Sequence, residues 1–175
     1  MFKAILLSFS TFKEDKTPCS KFLSESAKKK LYTKALTHKS FDQKGNNEQL
    51  EFLGDAVLSS IISEFLFLDN PKKEEGFLSQ QRAIIVSRRH LNLVGEKIIP
   101  ENQIKKKIKE SSLNIFGNTL EAIIGAIYIE KGILDVKIFV RKHIYKSEFL
   151  SLLLNTDYKS QLLKYSQKEK INIEY

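Results

Sequence analysis

From Asn46 to Leu58 the chain reads NNEQLEFLGDAVL, which sets three carboxylates, Glu48, Glu51 and Asp55, inside a stretch otherwise apolar enough to be core. Apolar residues at three-and-four spacing predict a helix over Asn47 to Leu68. At about 100° per residue the three acids fall within roughly 60° of one another, and Leu50, Leu53, Val57, Ile61 and Leu68 take the opposite side. A solvated face of an amphipathic helix would carry acids as well. Two features ask for more. Like charges four apart cost a helix about 0.2 to 0.5 kcal/mol, a cost that a bound cation reverses, and Phe52 lies among the acids, an aromatic in want of a partner.

A second segment, GNTLEAIIGAIYIEKG, behaves alike. Asn118, Glu121 and Gly125 share one helical face, with Leu120, Ile123 and Ile127 opposite, and a glycine inside a helix implies a packing reason. If the two polar faces meet, Glu51, Asp55, Asn118 and Glu121 form an all-oxygen cluster suited to a hard cation such as Mg²⁺ or Mn²⁺. Between the two lies PKKEEGFLSQQRA, where Glu75 precedes Gly76 at a helix start, a place where the helix dipole alone favours an acid.

With seven glycines and three prolines the chain reads as mainly helical. Further helices are expected over Ala27 to Thr37, Phe77 to Val86, Ser87 to Lys97, Pro100 to Lys109, Phe116 to Lys131, Ile133 to His143 and Asp157 to Glu169. A length of 175 residues suits one domain with at most a small appendage. Lys and Arg number 29 against 21 Asp and Glu, a net +8 that favours polyanionic partners, and Ile104 to Lys109, IKKKIK, is either a solvated face or a phosphate contact.

Other chemistries fare worse. The single cysteine, Cys19, rules out an intrachain disulfide framework and a multi-cysteine zinc site and fits a reducing compartment. His38, His90 and His143 are scattered and read as structural. Neither acidic helix carries the Glu-x-x-His of a di-iron bundle, and there is no Walker loop or GxSxG elbow. The opening MFKAILLSFSTFKEDK reads as a packed N-terminal arm, its apolar run being short and broken by serines. Ala56 to Leu68 is too short for a bilayer, so a cytoplasmic location without membrane contact is expected.

NNEQLEFLGDAVL resembles the signature of ribonuclease III, usually NERLEFLGDAVL. ALTHKS (Ala35 to Ser40) is similar to the family's first motif, and EEGFLSQQRA and GNTLEAIIGAIYIEKG to its third and fourth, in the same order. The resemblance covers Leu31 to Tyr145. It implies an all-α endonuclease domain that dimerises and hydrolyses double-stranded RNA with Mg²⁺, Mn²⁺ being able to substitute, leaving 5′-phosphate ends as in rRNA and mRNA processing. Motif matching places Glu51, Asp55, Asn118 and Glu121 at the metal, and Glu48, Asp55, Glu75 and Glu121 among the catalytic acids. Phe52 takes the position of the aromatic that enters the partner subunit of the homodimer.

The expected organisation is a nuclease domain with its N-terminal arm over residues 1–154. A linker and the first helix of an incomplete double-stranded-RNA-binding domain would follow over residues 155–175, either because the protein is longer or because that domain is lacking. Asn118 stands where the family usually has Asp, and Gln49 where it has Arg. The first change removes a negative charge from the metal position yet keeps a hard carbonyl ligand. It sustains an alternative reading, a catalytically weak or silent relative that binds double-stranded RNA. A helical nucleotide pyrophosphohydrolase fits less well, because Asn118 to Glu121 breaks its paired acidic pattern.

Overall fold

The computed structural model describes residues 25–107 and 114–150. Among the described residues six α-helices follow one another: α1 (Glu25–Ala35), α2 (Glu48–Asp69), α3 (Glu75–Ile85), α4 (Arg88–Ile98), α5 (Ile115–Lys131) and α6 (Ile133–Val140). A 3-10 turn at Glu101–Gln103 precedes α5, and a π-helical turn at Arg141–Tyr145 follows α6. The domain is all-α: among the described residues the only β pairing is an isolated parallel bridge between Thr37 and Lys105. Cys19, the N-terminal arm, the expected helix at Asp157 to Glu169 and the 155–175 appendage lie outside the described residues.

The boundaries follow from local chemistry. At the start of α2 the Glu48 N–H donates to Asn46 Oδ1 at 3.0 Å, and Glu48 and Glu51 place negative charge against the positive end of the helix. Its last turn closes where both the backbone N–H and the side-chain amide of Asn70 donate to the Leu66 carbonyl, each at 3.0 Å, with Pro71 next in sequence. Ser87 caps α4, accepting from His90 N–H at 3.3 Å. Gly132, at φ 88°, ends α5 by donating to the Ile127 and Tyr128 carbonyls and starts α6 at once.

α2 and α5 form the centre of the fold, with α4 laid against α5 and α6 closing the far end. Leu58, Ile61, Ile62, Leu91, Ile115, Leu120 and Ile124 are the heart of the core, each almost wholly removed from solvent. Burying side chains of this size contributes about 1.5 to 3 kcal/mol apiece.

Three expectations are corrected here. Leu68, placed on the buried side of α2, is 61% exposed. The buried row runs Leu50, Gly54, Leu58, Ile62, Leu66, every fourth residue. Such a row advances about 40° round the helix per step, so by the last turn the core side has rotated away from Leu68. The helix expected over Pro100 to Lys109 does not form over its described part, Pro100 to Lys107: beyond the 3-10 turn the chain runs extended, Lys105 N–H donating to the Leu36 carbonyl at 2.8 Å and His38 N–H to the Lys105 carbonyl at 2.9 Å. Four lysines in six residues repel one another on one helix, and backbone pairing with the α1–α2 loop satisfies the same groups without that crowding. The helix expected over Ile133 to His143 gives up its α geometry at Val140 and continues as the π-helical turn. There Arg141 is bound at 3.1 Å to Asp69 and lies over the Phe65 ring.

Candidate active site

The acidic residues are brought together by two glycines. Gly54 lies between Glu51 and Asp55 on α2, and Gly125 one turn beyond Glu121 on α5. A Cβ on Gly54 would meet the Glu121 carbonyl oxygen at 1.8 Å, and one on Gly125 the Leu50 carbonyl oxygen at 2.3 Å. Only glycine permits this backbone-to-backbone crossing. Ala122 and Ala126 continue the small surface of α5 beneath it and are fully buried.

Glu51, Asp55, Asn118 and Glu121 consequently share one electrostatic neighbourhood. The Asn118 carboxamide donates a hydrogen bond to the half-buried Glu51 carboxylate. Burial pushes the Glu51 carboxyl up, the Glu48 charge adds to this, and Lys39, Arg88 and Asn118 act against it. Glu121 is affected more strongly: burial first, then the charges of Asp55 and Glu51, push its carboxyl up to about 7. A carboxylate strained in this way by like charges is a group that a cation would relieve.

The donor set fits a hard divalent ion, being all oxygen and rich in negative charge. Among the described residues no three His, Cys, Asp or Glu side chains are gathered tightly enough to hold a metal as they stand. An ion would therefore have to draw Glu51, Asp55 and Glu121 closer together, and Asn118 is the fourth oxygen donor within the group.

The remaining sequence candidates fall at the edges. Glu48 is exposed on the first turn of α2 and pairs with Lys39 at 3.0 Å. Glu75 opens α3, its carboxylate accepting from Ser79 Oγ at 2.6 Å, and its charge is not among those that shift Glu51 or Glu121. Phe52 is 80% exposed beside the acids. Gln49 accepts from Lys34 Nζ at 2.7 Å, a surface contact.

The histidines are structural, as expected. His38 Nδ1 accepts from the Ser40 N–H at 3.1 Å and fixes the turn after α1. His90 is fully buried with Nδ1–H donating to the Ile85 carbonyl at 2.6 Å, and His143 packs on Phe139 with ring centroids 4.9 Å apart.

Reading the sequence alone misses Gly54 and Arg88. Arg88 stands at the first turn of α4, exposed, yet its charge reaches both Glu51 and Glu121. One turn on, Asn92 Oδ1 accepts from the Gly117 N–H at 2.7 Å, tying α4 to the residue before Asn118. Arg88 is 37 and 33 residues from those acids in sequence, and no local pattern links them.

Fold and site together define an all-helical domain with an oxygen-rich acidic centre built on a glycine crossing of its two central helices. A family model described as Ribonuclease-III-like matches residues 28–148, and the chain belongs to that family. It is 40% identical over 156 residues to the Ribonuclease 3 of Azobacteroides pseudotrichonymphae, covering 83% of this chain and 59% of the relative. To the Ribonuclease 3 of Flavobacterium psychrophilum it is 39% identical over 150 residues, covering 79% and 61%. The chain thus spans about three-fifths of the length of these curated relatives. The solved nuclease domain of ribonuclease III from Campylobacter jejuni superposes with a TM-score of 0.66 at 36% identity, covering 73% of this chain and 92% of that one. Dicer from Pichia stipitis shares the fold, at 22% identity and a TM-score of 0.52 over 79% of this chain and 64% of that one.

Proposed function

We propose that this chain is a divalent-metal-dependent endoribonuclease that hydrolyses phosphodiester bonds of double-stranded RNA and leaves 5′-phosphate ends. The observation that carries the reading is the grouping of Glu51, Asp55, Asn118 and Glu121 at the α2–α5 crossing, in a chain of the ribonuclease-III-like family. Glu51, Asp55, Asn118 and Glu121 would hold Mg²⁺ or Mn²⁺. When bound, the ion supplies Lewis acidity towards water and a phosphate oxygen.

The chain's own residues supply the rest. Glu51 and Glu121 reach the centre from half-buried backbone positions fixed by the glycine crossing, and Asn118 orients Glu51 through its hydrogen bond. Glu48, close enough to raise the Glu51 carboxyl, is a carboxylate able to take a proton from the attacking water, and solvent protonates the 3′ oxygen as the phosphorus–O3′ bond breaks; Glu75 stands apart on α3 as a further acid of the valley. Lys39 and Arg88 offset the acidic charge as the phosphate approaches. Recognition through duplex shape, 2′-hydroxyls and phosphates gives little sequence preference.

The partner is a second copy of this chain, with Phe52 at the interface. The Campylobacter jejuni nuclease domain is described as having a structurally flexible region involved in dimer formation, which supports a homodimer here. No described helix is long and apolar enough to cross a membrane, in keeping with a cytoplasmic role in rRNA or mRNA processing.

The test is cleavage of a long RNA duplex with Mg²⁺ by the parent chain and by Glu121→Ala and Asn118→Asp. Cutting by the parent that vanishes in Glu121→Ala supports the proposal. A parent that binds duplex without cutting, with activity gained in Asn118→Asp, would establish instead the silent RNA-binding reading that Asn118 favours.

A further inference from the structure

We propose that a lysine-lined groove between α1 and the Ile104–Lys107 segment is a second phosphate-binding surface, which receives the backbone of an RNA duplex beside the acidic centre. The inference rests on the endoribonuclease reading above. The groove encloses about 550 Å³ and is lined by Lys29, Lys30 and Lys34 from α1, Lys105 from the extended segment, and Thr37 and Phe41 from the turn between α1 and α2.

Its lysines come from two distant parts of the chain, and the backbone holds them together. Besides the Thr37–Lys105 bridge, the Lys107 N–H donates to Ser40 Oγ at 3.1 Å, and Lys107 Nζ lies 5.6 Å from the centre of the Phe41 ring. The pairing that turns this segment away from a helix thus sets Lys105 in one groove with the lysines of α1, while Lys106 pairs with Glu101 at 2.7 Å.

The charge in the groove is unbalanced. Among the described residues no carboxylate pairs with Lys29, Lys30 or Lys105, and Lys34 reaches only the neutral carboxamide of Gln49, at 2.7 Å. Asp42 is the one acid in the lining, and its Oδ1 is engaged by the N–H groups of Lys44 and Gly45 at 2.9 and 3.0 Å. Four ammonium groups along an open groove match a run of phosphodiesters better than one small enclosed anion.

The groove also leads towards the acids. Thr37 lines it, and the Thr37 carbonyl accepts from the Asn47 N–H at 2.9 Å, immediately before the turn that carries Glu48 and Glu51. An acidic centre repels the substrate it would cut, and a basic surface at its edge supplies the opposing attraction.

The shared chemistry of possible ligands is the phosphate group, and duplex RNA and inorganic phosphate are its two sources to be separated. Binding of a short RNA duplex in EDTA is measured against salt for the parent, Lys29→Gln/Lys30→Gln, Lys105→Gln, and a charge-matched control, Lys142→Gln/Lys146→Gln at the π-helical turn. Melting temperatures verify that each variant folds. The expected result is that the slope of log affinity against log salt falls by about two in the α1 double variant and about one in Lys105→Gln. The control should lose less than either, and affinity for duplex should drop several-fold only in the groove variants.

Equal losses in groove and control variants would overturn the proposal, as would a parent that does not bind duplex. Saturable binding of inorganic phosphate that the groove variants lose, with the duplex slope unchanged, would make the groove a small-anion pocket and overturn the duplex assignment. Because binding is read without divalent metal, a chain that binds through these lysines but never cuts with Mg²⁺ fails the nuclease reading alone.

Discussion

Gly54 and Gly125 are mutual neighbours across the α2–α5 crossing: a Cβ on Gly54 would stand 3.0 Å from the Gly125 nitrogen, and one on Gly125 3.3 Å from the Gly54 nitrogen. Neither backbone can yield without moving a central helix. Gly54→Ala is expected to cost about 3 kcal/mol or more, at the upper end of overpacking effects, and to lower the melting temperature by about 6 to 12 °C. Gly76→Ala, where an added Cβ meets nothing within 4 Å, is the control. A Gly54→Ala protein that melts with the parent would disprove the tight crossing.

On the proposed assignment of Asn118 as a metal ligand, its charge sets how much metal the site needs. Replacing its carboxamide by a carboxylate adds a unit charge, worth up to about 4 kcal/mol at 4 Å and an effective dielectric near 20, and removes the hydrogen bond that holds the Glu51 carboxyl down. Asn118→Asp is expected to lower the Mg²⁺ concentration for half-maximal cleavage about tenfold or more, a change of about 1.4 kcal/mol. An unchanged or higher Mg²⁺ requirement would place Asn118 outside the metal site.

The half-buried Glu121 and the fully buried His90 set opposite pH limits on the metal-free fold. Glu121 titrates at about 7 against 4.5 for an ordinary glutamate, so its neutral form stabilises the fold. That contribution is complete below pH 4.5 and is lost as pH rises through 7. Burial lowers His90 below its usual 6.5, so its contribution is present above 6.5 and is lost as pH falls through the lowered folded-state value. Its Nε2 has no partner, and protonation would bury an unsatisfied N–H. Glu121→Gln should remove the alkaline loss of melting temperature seen without metal, and His90→Leu the acid loss, at a cost of about 1 to 3 kcal/mol for the orphaned Ile85 carbonyl. A Glu121→Gln curve parallel to that of the parent would refute the assignment.

Phe52, 80% exposed, is the residue on which association should depend. Phe52→Glu is expected to shift the mass in solution from dimer to monomer at micromolar concentration without lowering helix content. A parent already monomeric, or a variant still dimeric, would remove Phe52 from the interface.

Much of this was legible in the sequence, for reasons that also explain what was not. α2 and α5 announce themselves because Leu50, Val57, Ile61 and Leu120, Ile123, Ile127 recur at helical spacing, and all of these but the partly buried Ile123 lie in the core. The acids were legible because helical spacing is local. Gly54 was not, because a glycine inside a helix reads as a cost until the opposing backbone is seen. Arg88 was invisible for want of any local link to Glu51 or Glu121. Lys105 was misassigned because the partners of its backbone, Leu36 and His38, lie almost seventy residues earlier.

That long-range pairing has a kinetic consequence. Lys105 and His38 hold each other's segments by a handful of backbone bonds at the surface, whereas α2 is locked into the core along its length. The turn leading into α2 and the Ile104–Lys107 segment therefore form one small unit whose opening costs less than global unfolding. In hydrogen exchange the amides of His38 and Lys105 should lose protection together, earlier than those of Leu58 or Ile62. A ligand that neutralises the lysines on both segments would slow that exchange, so the rim of the acidic centre would become ordered as its polyanion arrives.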